Sequence, residues 1–128
     1  MKHRLCVDWD ATLIEESWPE HGDWMPGAVE AMHELKEIYK VVVYTSRTSP
    51  MWTDELTKRA PAEVQQEYNE IRRRLDEVGL REVGIWDFRK TPWKPRGYYV
   101  DDRAIHYGGR KNSWKNITGK LIAMTEVR

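Results

Sequence analysis

The chain has 128 residues, of which 40% are hydrophobic and 33% charged, so it can bury a core and differs from an intrinsically disordered protein. Lys and Arg together number 21, as do Asp and Glu, and the net charge of zero provides no overall attraction to nucleic acid or membranes. No stretch approaches the roughly 20 apolar residues of a transmembrane helix, and the single cysteine, Cys6, fits a reducing compartment. We therefore expect one globular domain, residues 1–128, in the cytoplasm and without a membrane partner.

The first part of the chain predicts a strand, a helix and a second strand. Residues 5–9 are predicted to form a short strand that ends in two acidic residues, Asp8 and Asp10, where the apolar run stops. After a polar loop, hydrophobic residues recur at helical spacing over residues 28–39, with a proline at the start. Residues 41–44 form an unbroken apolar run, which is typical of a parallel strand buried on both faces.

The second part predicts a long helix, two short strands and a last helix. One apolar face recurs over residues 64–78, and Gly79 is a plausible end for this helix. Residues 83–86 and 97–100 are strand candidates, and Asn112 or Ser113 is expected to cap the final helix.

This order of elements predicts an α/β fold, specifically a Rossmann-like three-layer sandwich with a mainly parallel central sheet. Right-handed crossovers place the carboxyl ends of all parallel strands at one edge, which is where open α/β sheets bind ligands. Polar pairs follow three of the predicted strands: Asp8 and Asp10, Thr45 and Ser46, Asp101 and Asp102.

Several carboxylates in one cleft repel each other unless a cation such as Mg²⁺ is bound between them. Because Mg²⁺ is usually bound by one or two carboxylates, water and a substrate phosphate, the acidic edge suggests a ligand that carries phosphate. Asp8 is best placed to act as a nucleophile, and Asp10 to transfer protons. Thr45 would bind a phosphoryl oxygen, and Lys94 would neutralise charge on the transferred group.

Four segments in order resemble the signature motifs of the haloacid dehalogenase superfamily. Residues 7–13, Val-Asp-Trp-Asp-Ala-Thr-Leu, resemble the first motif, and the apolar run before Thr45 resembles the second. Lys94 resembles the third, and residues 98–102, Tyr-Tyr-Val-Asp-Asp, the fourth. The motifs span residues 5–102, and the segment from Lys94 onward is most similar to small hydrolases of this superfamily from bacteria and phages.

This resemblance implies a Mg²⁺-dependent phosphomonoesterase in which Asp8 is phosphorylated during turnover. It implies that Asp8 is nucleophile and metal ligand, and that Asp10 is acid and base and binds the metal through its backbone carbonyl. Asp101 is implied as a metal ligand, with Asp102 binding directly or through water. The residues expected to bind substrate are Thr45, Ser46, Arg47 and Lys94. Arg47 could equally be a solvated loop arginine.

The chain departs from the superfamily pattern at Ala11, where glycine is commonest, and the residue between the two aspartates is Trp9. The third motif is ambiguous between Lys90 and Lys94, and we prefer Lys94 for its short distance to Asp101. Neither interval that holds a cap domain in this superfamily has room for more than a small helical excursion near residues 50–61. The expected site is therefore open, able to accept a phosphate on a nucleotide, a sugar or a nucleic acid end.

Two other functions compete with this interpretation. The first is a catalytically inert domain of the same fold that binds phosphate or a protein partner. The second is a signalling receiver domain, although its lysine follows the phosphoaccepting strand and no acidic pair comes last. Trp18 and Trp24 are expected to pack in the loop after the first motif rather than stack on a base. The four histidines lack metal-ligand spacing, which favours surface or packing roles.

Overall fold

The computed structural model describes residues 2–50, 60–91, 93–101 and 113–126. The strands are β1 (Arg4–Asp8), β2 (Lys40–Tyr44), β3 (Gly84–Ile85) and β4 (Tyr98–Val100). The helices are α1 (Ala28–Leu35), α2 (Pro61–Glu77) and α3 (Ser113–Glu126), with one 3₁₀ helix at Ser46–Thr48. The four strands are all parallel, in the order β3-β2-β1-β4, and the helices flank them. The α/β, Rossmann-like class with a parallel sheet is thus confirmed.

The helix boundaries follow from proline and glycine. Gly27 precedes α1 with φ of 78°, and Pro61 opens α2. Proline is tolerated there because the first helical N–H groups have no partner within the helix. Gly79, with φ of 78°, follows α2 as expected. The first helix is shorter than predicted, because it ends at Leu35 and turns lead into β2.

One face of the sheet packs against all three helices in a single apolar core. Alternate residues of a strand point to opposite faces, so each strand contributes every second side chain to this core. The strand residues in it are Leu5, Val7, Val41, Val43 and Val100. The helix residues include Met32 and Leu35, Ile71 and Leu75, and Trp114 and Leu121.

The other face of the sheet contacts the chain between β3 and β4. The Arg4 guanidinium lies 5.1 Å from the Trp86 ring centroid, and the Tyr99 hydroxyl donates to the Pro95 carbonyl. Because side chains alternate along a strand, Asp8 lies on the same face as Arg4. The second face of the sheet therefore carries Asp8 at its carboxyl edge.

Two sequence predictions concern membrane-spanning helices and a helical excursion after β2. In the described residues, no helix combines the length and the apolar character needed to cross a membrane. The helical excursion expected near residues 50–61 lies mostly outside the described residues, and Trp52 lies entirely outside them. Trp9 and Trp114 are fully buried and pack in the core, whereas Trp18 and Trp93 are 41% and 74% exposed.

Candidate active site

The candidate site lies at the carboxyl end of β1, which has a neighbouring strand on each side. Asp8 ends β1 and is the register partner of Tyr44, the last residue of β2. On the other side, Val7 aligns with Val100, so Asp101 follows β4 next to Asp8. The Tyr44 hydroxyl donates a hydrogen bond to the Asp101 carboxylate. The ends of three neighbouring strands are thus joined around Asp8.

Asp8 and Asp101 both raise the pKa of the Tyr44 phenol. Burial raises the pKa of Tyr44 above its ordinary value of 10.0, and the hydrogen bond to Asp101 and the charge of Asp8 raise it further. The Tyr44 ring also packs edge-on against Tyr99, with centroids 5.0 Å apart. The phenol consequently remains protonated and serves as a hydrogen-bond donor between two acidic groups.

Asp10 lies in a tight turn that takes the chain away from β1. Ala11 has φ of 60°, a left-handed conformation that residues other than glycine seldom adopt. Three backbone N–H groups close the turn by donating to the Trp9 carbonyl at 2.9–3.4 Å, those of Thr12, Leu13 and Ile14. The strand ends at Asp8, and the Asp10 carboxylate pairs with Arg47.

Arg47 is completely buried and fixes the Asp10 carboxylate at two points. Its Nε donates to Asp10 Oδ2 at 2.9 Å and its Nη2 to Asp10 Oδ1 at 2.8 Å. Nη1 donates to Glu67 Oε2 at 2.8 Å and to the Pro19 carbonyl at 2.9 Å, and Nη2 also donates to the Glu20 carbonyl at 2.9 Å. These contacts use all five N–H groups of the guanidinium. The alternative of a solvated loop arginine is therefore wrong.

Burial and ion pairing shift the pKa values of Arg47 and Glu67 in opposite directions. Burial lowers the pKa of Arg47, but hydrogen bonds to Asp10 and Glu67 outweigh it, and the net pKa is raised. Burial raises the pKa of Glu67, but hydrogen bonds from His21 and Arg47 outweigh it, and the net pKa is lowered. Arg47 and Glu67 are consequently held in their ionised forms.

His21 links this ion-pair cluster to the core. The Trp9 indole N–H, which can only donate, lies 2.9 Å from His21 Nδ1. His21 Nδ1 is therefore the acceptor, and its Nε2–H donates to Glu67 Oε2 at 2.9 Å. The Arg47 guanidinium in turn lies 4.4 Å from the Trp18 ring centroid. Side chains from the loop after β1 thus surround the ion pair between Arg47 and Asp10.

Thr45 and Ser46 occupy different environments although they are neighbours. Thr45 is 3% exposed, and its hydroxyl oxygen accepts from the Arg47 N–H at 3.2 Å, which caps the 3₁₀ helix. Ser46 is exposed at the first position of that helix. A hydroxyl that accepts a hydrogen bond still has a proton to donate. Thr45 therefore keeps a donor for a phosphoryl oxygen.

The two candidate lysines lie on different parts of the molecule. Lys90 lines a polar pocket of about 420 Å³ with Gln65, Tyr68, Asp87 and Arg89, beside α2. Lys94 is exposed in the chain that contacts the second face of the sheet, between Trp93 and the buried Pro95. The choice between Lys90 and Lys94 for the third motif stays a prediction.

Four acidic residues were predicted to bind Mg²⁺, namely Asp8, Asp10, Asp101 and Asp102. Asp102 lies outside the described residues. Within the described ranges, no three His, Cys, Asp or Glu side chains are grouped so that they could hold a metal ion. Asp8 and Asp101 remain as two neighbouring carboxylates, and magnesium sites commonly use one or two carboxylates with water and substrate phosphate. This pair has the donor chemistry for a magnesium ion.

Sequence reasoning did not identify Tyr44, Glu67 or His21 as members of the site. Glu67 had a usable signal, because it follows Val64 by three residues and precedes Ile71 by four on the apolar stripe of α2. A charged residue on such a stripe requires a buried partner. Tyr44 and His21 had no comparable signal, because their contacts depend on strand register and on the path of a loop.

Comparisons with other proteins bear on the fold. No family model and no curated protein matches the chain. A solved structure of a conserved protein from Bacteroides thetaiotaomicron is similar, with a TM-score of 0.58 and 19% sequence identity. The similarity covers 97% of this chain and 93% of that one. At this level of identity the similarity supports a common fold.

Proposed function

We propose that the chain is a Mg²⁺-dependent phosphomonoesterase that acts through a phosphorylated Asp8, like small capless hydrolases of the haloacid dehalogenase superfamily. The observation that carries this proposal is the meeting of Asp8, Asp101 and Thr45 at the carboxyl ends of three adjacent parallel strands. Open parallel sheets bind ligands at this edge. The proposal also accounts for two acidic strand ends placed side by side, which a purely structural role would not require.

In the first half of the reaction, a carboxylate oxygen of Asp8 forms a bond to phosphorus as the bond from phosphorus to the ester oxygen breaks. The leaving alkoxide takes a proton from Asp10. In the second half, water attacks the phosphorus of the aspartyl phosphate and gives a proton to Asp10. The bond from phosphorus to Asp8 then breaks, which releases phosphate and restores both carboxyl groups.

Thr45 and Lys94 would bind the transferred group. The buried Thr45 hydroxyl donates to one phosphoryl oxygen, and Lys94 supplies positive charge from the chain opposite the second face of the sheet. Asp8 and Asp101 would hold Mg²⁺, which offsets their mutual repulsion and neutralises charge on the phosphoryl group. Ser46, exposed at the same strand end, is available for contacts to the rest of the substrate.

Hydrolysis of p-nitrophenyl phosphate with and without Mg²⁺ tests the proposal. The wild-type protein should release nitrophenolate only with Mg²⁺, and Asp8→Asn should reduce the rate at least about 10³-fold because it removes the nucleophile. Asp76→Asn is the matched control, since Asp76 is exposed on α2 and remote from the site. Equal rates for wild type and Asp8→Asn would contradict the proposal.

The competing function is an inert domain that binds phosphate. The observation in its favour is that both Asp10 oxygens are already paired with Arg47. Under this alternative, calorimetry would detect phosphate binding while no phosphomonoester is hydrolysed. A screen of sugar phosphates, nucleotides and oligonucleotides with 3′ or 5′ phosphates would separate the two functions and identify the substrate class.

A further inference from the structure

We infer that Arg47 is a positioning residue, which holds the Asp10 carboxylate where it exchanges protons and does not itself bind the substrate phosphate. The inference rests on the proposed function, because it concerns how Asp10 takes part in that reaction. It differs from the expectation that Arg47 contacts substrate. The geometry points to it through the two-point contact between Arg47 and Asp10.

Hydrogen bonds within the protein saturate the Arg47 guanidinium. A phosphate-binding arginine needs N–H groups directed at the ligand, but all five of those on Arg47 are donated within the protein. The Arg47 side chain has no exposed surface, whereas 19% of the Asp10 side chain is exposed. In this pair it is thus Asp10 that can meet a substrate.

The geometry of the pair holds the Asp10 carboxylate in one orientation. A planar guanidinium that donates from Nε and Nη2 to the two oxygens of one carboxylate fixes both the position and the plane of that carboxylate. Lysine has the same charge but cannot form this two-point contact. Thr45 supports the arrangement from the backbone, because its hydroxyl accepts from the Arg47 N–H.

Arg47 also connects the loop after β1 to α2. The Pro19 and Glu20 carbonyls accept from the guanidinium, and Glu67 pairs with it from α2. Asp10 therefore receives its position from a cluster that includes residues far from it in sequence. A 1 Å displacement of a proton-transfer group can reduce turnover by about 10²-fold.

A double-mutant cycle on turnover tests this inference with Asp10→Asn, Arg47→Lys and the double variant. General acid–base groups contribute about 10²–10⁴-fold, so Asp10→Asn should reduce kcat by about this factor. Arg47→Lys should reduce kcat about 10–100-fold while KM changes less than about threefold. The double variant should resemble Asp10→Asn within about threefold, because Arg47 has no target left to position.

Arg72→Lys is the matched control. Arg72 lies on α2 and donates to the Val83 and Leu80 carbonyls, so this change also removes structural hydrogen bonds from an arginine. It should lower the melting temperature without changing kcat. Arg47→Gln provides a second variant if Arg47→Lys fails to fold, and thermal unfolding monitored by circular dichroism establishes the folded fraction of each protein.

Two results would overturn the inference while the proposed function stands. The first is a double variant in which the two kcat losses multiply, and the second is an Arg47→Lys protein whose KM rises strongly at constant kcat, which would mean direct phosphate binding. A wild-type protein without Asp8-dependent turnover would instead overturn both the proposed function and the inference.

Discussion

Replacing Ala11 with glycine should stabilise the protein by about 0.5–1 kcal/mol. Ala11 has φ of 60°, and a left-handed conformation costs an L-residue about 1–2 kcal/mol. Glycine removes this cost but loses about 0.5–1 kcal/mol through its greater freedom in the unfolded chain. The Ala11 side chain is exposed, so removing its methyl group sacrifices little packing. The midpoints of the two ranges, about 1.5 and 0.75 kcal/mol, differ by about 0.75 kcal/mol, which is the centre of the expected gain.

Thermal unfolding measures this gain directly. Unfolding entropies of about 2.1 cal/mol/K per residue give about 0.27 kcal/mol/K for a chain of this length, so the melting temperature should rise by about 2–4 °C. Gly27→Ala is the matched reverse change, because Gly27 has φ of 78° and an added Cβ would meet the Trp114 Cβ at an ordinary 3.6 Å. It should lower the melting temperature. A lower melting temperature for Ala11→Gly would refute the reasoning on strain.

Two further predictions concern the core. Tyr39→Phe removes the hydrogen bond at 2.8 Å from a buried hydroxyl to the Leu121 carbonyl in α3, and denaturant unfolding should show a loss of about 1 kcal/mol. No loss would mean that this bond does not help to dock α3. Burial raises the pKa of the Cys6 thiol from 9.0 to about 11. Since the fold favours the neutral thiol, this stabilisation is present below pH 9 and is lost as pH rises to about 11, a decline that Cys6→Ala should lack in denaturant titrations. At pH 8 a disulfide reagent should modify Cys6 only after unfolding, and rapid reaction of the native protein would contradict this.

The general architecture could be predicted because it depends on local patterns. Apolar runs and helical spacing identified every strand and α-helix of the described structure, and parallel pairing followed from their alternation. The helix ends were less certain. Residues after Leu35 continue the helical spacing as far as Tyr39, yet the chain turns there because Tyr39 must reach the core and β2 must begin at Lys40.

The environment of Arg47 could not be predicted for a physical reason. It follows Thr45 and Ser46 in a polar run, which normally indicates a solvated loop. Its burial depends on two carboxylates that lie 37 and 20 residues away, Asp10 and Glu67. A buried arginine is tolerated only when it is paired and hydrogen-bonded, and such partners are specified by the tertiary fold.

The turn at Ala11 accounts for the different partners of the two aspartates. Had β1 continued through Asp10, its carboxylate would lie on the same face as Asp8 and add a further charge beside Asp101. Ending the strand at Asp8 and turning through Ala11 sends Asp10 to Arg47, which neutralises its charge. Asp8 then shares its surroundings with Asp101 and the Tyr44 donor. One acidic pair at spacing two can thereby provide a group for covalent chemistry and a separately held group for proton transfer, which the proposed reaction requires.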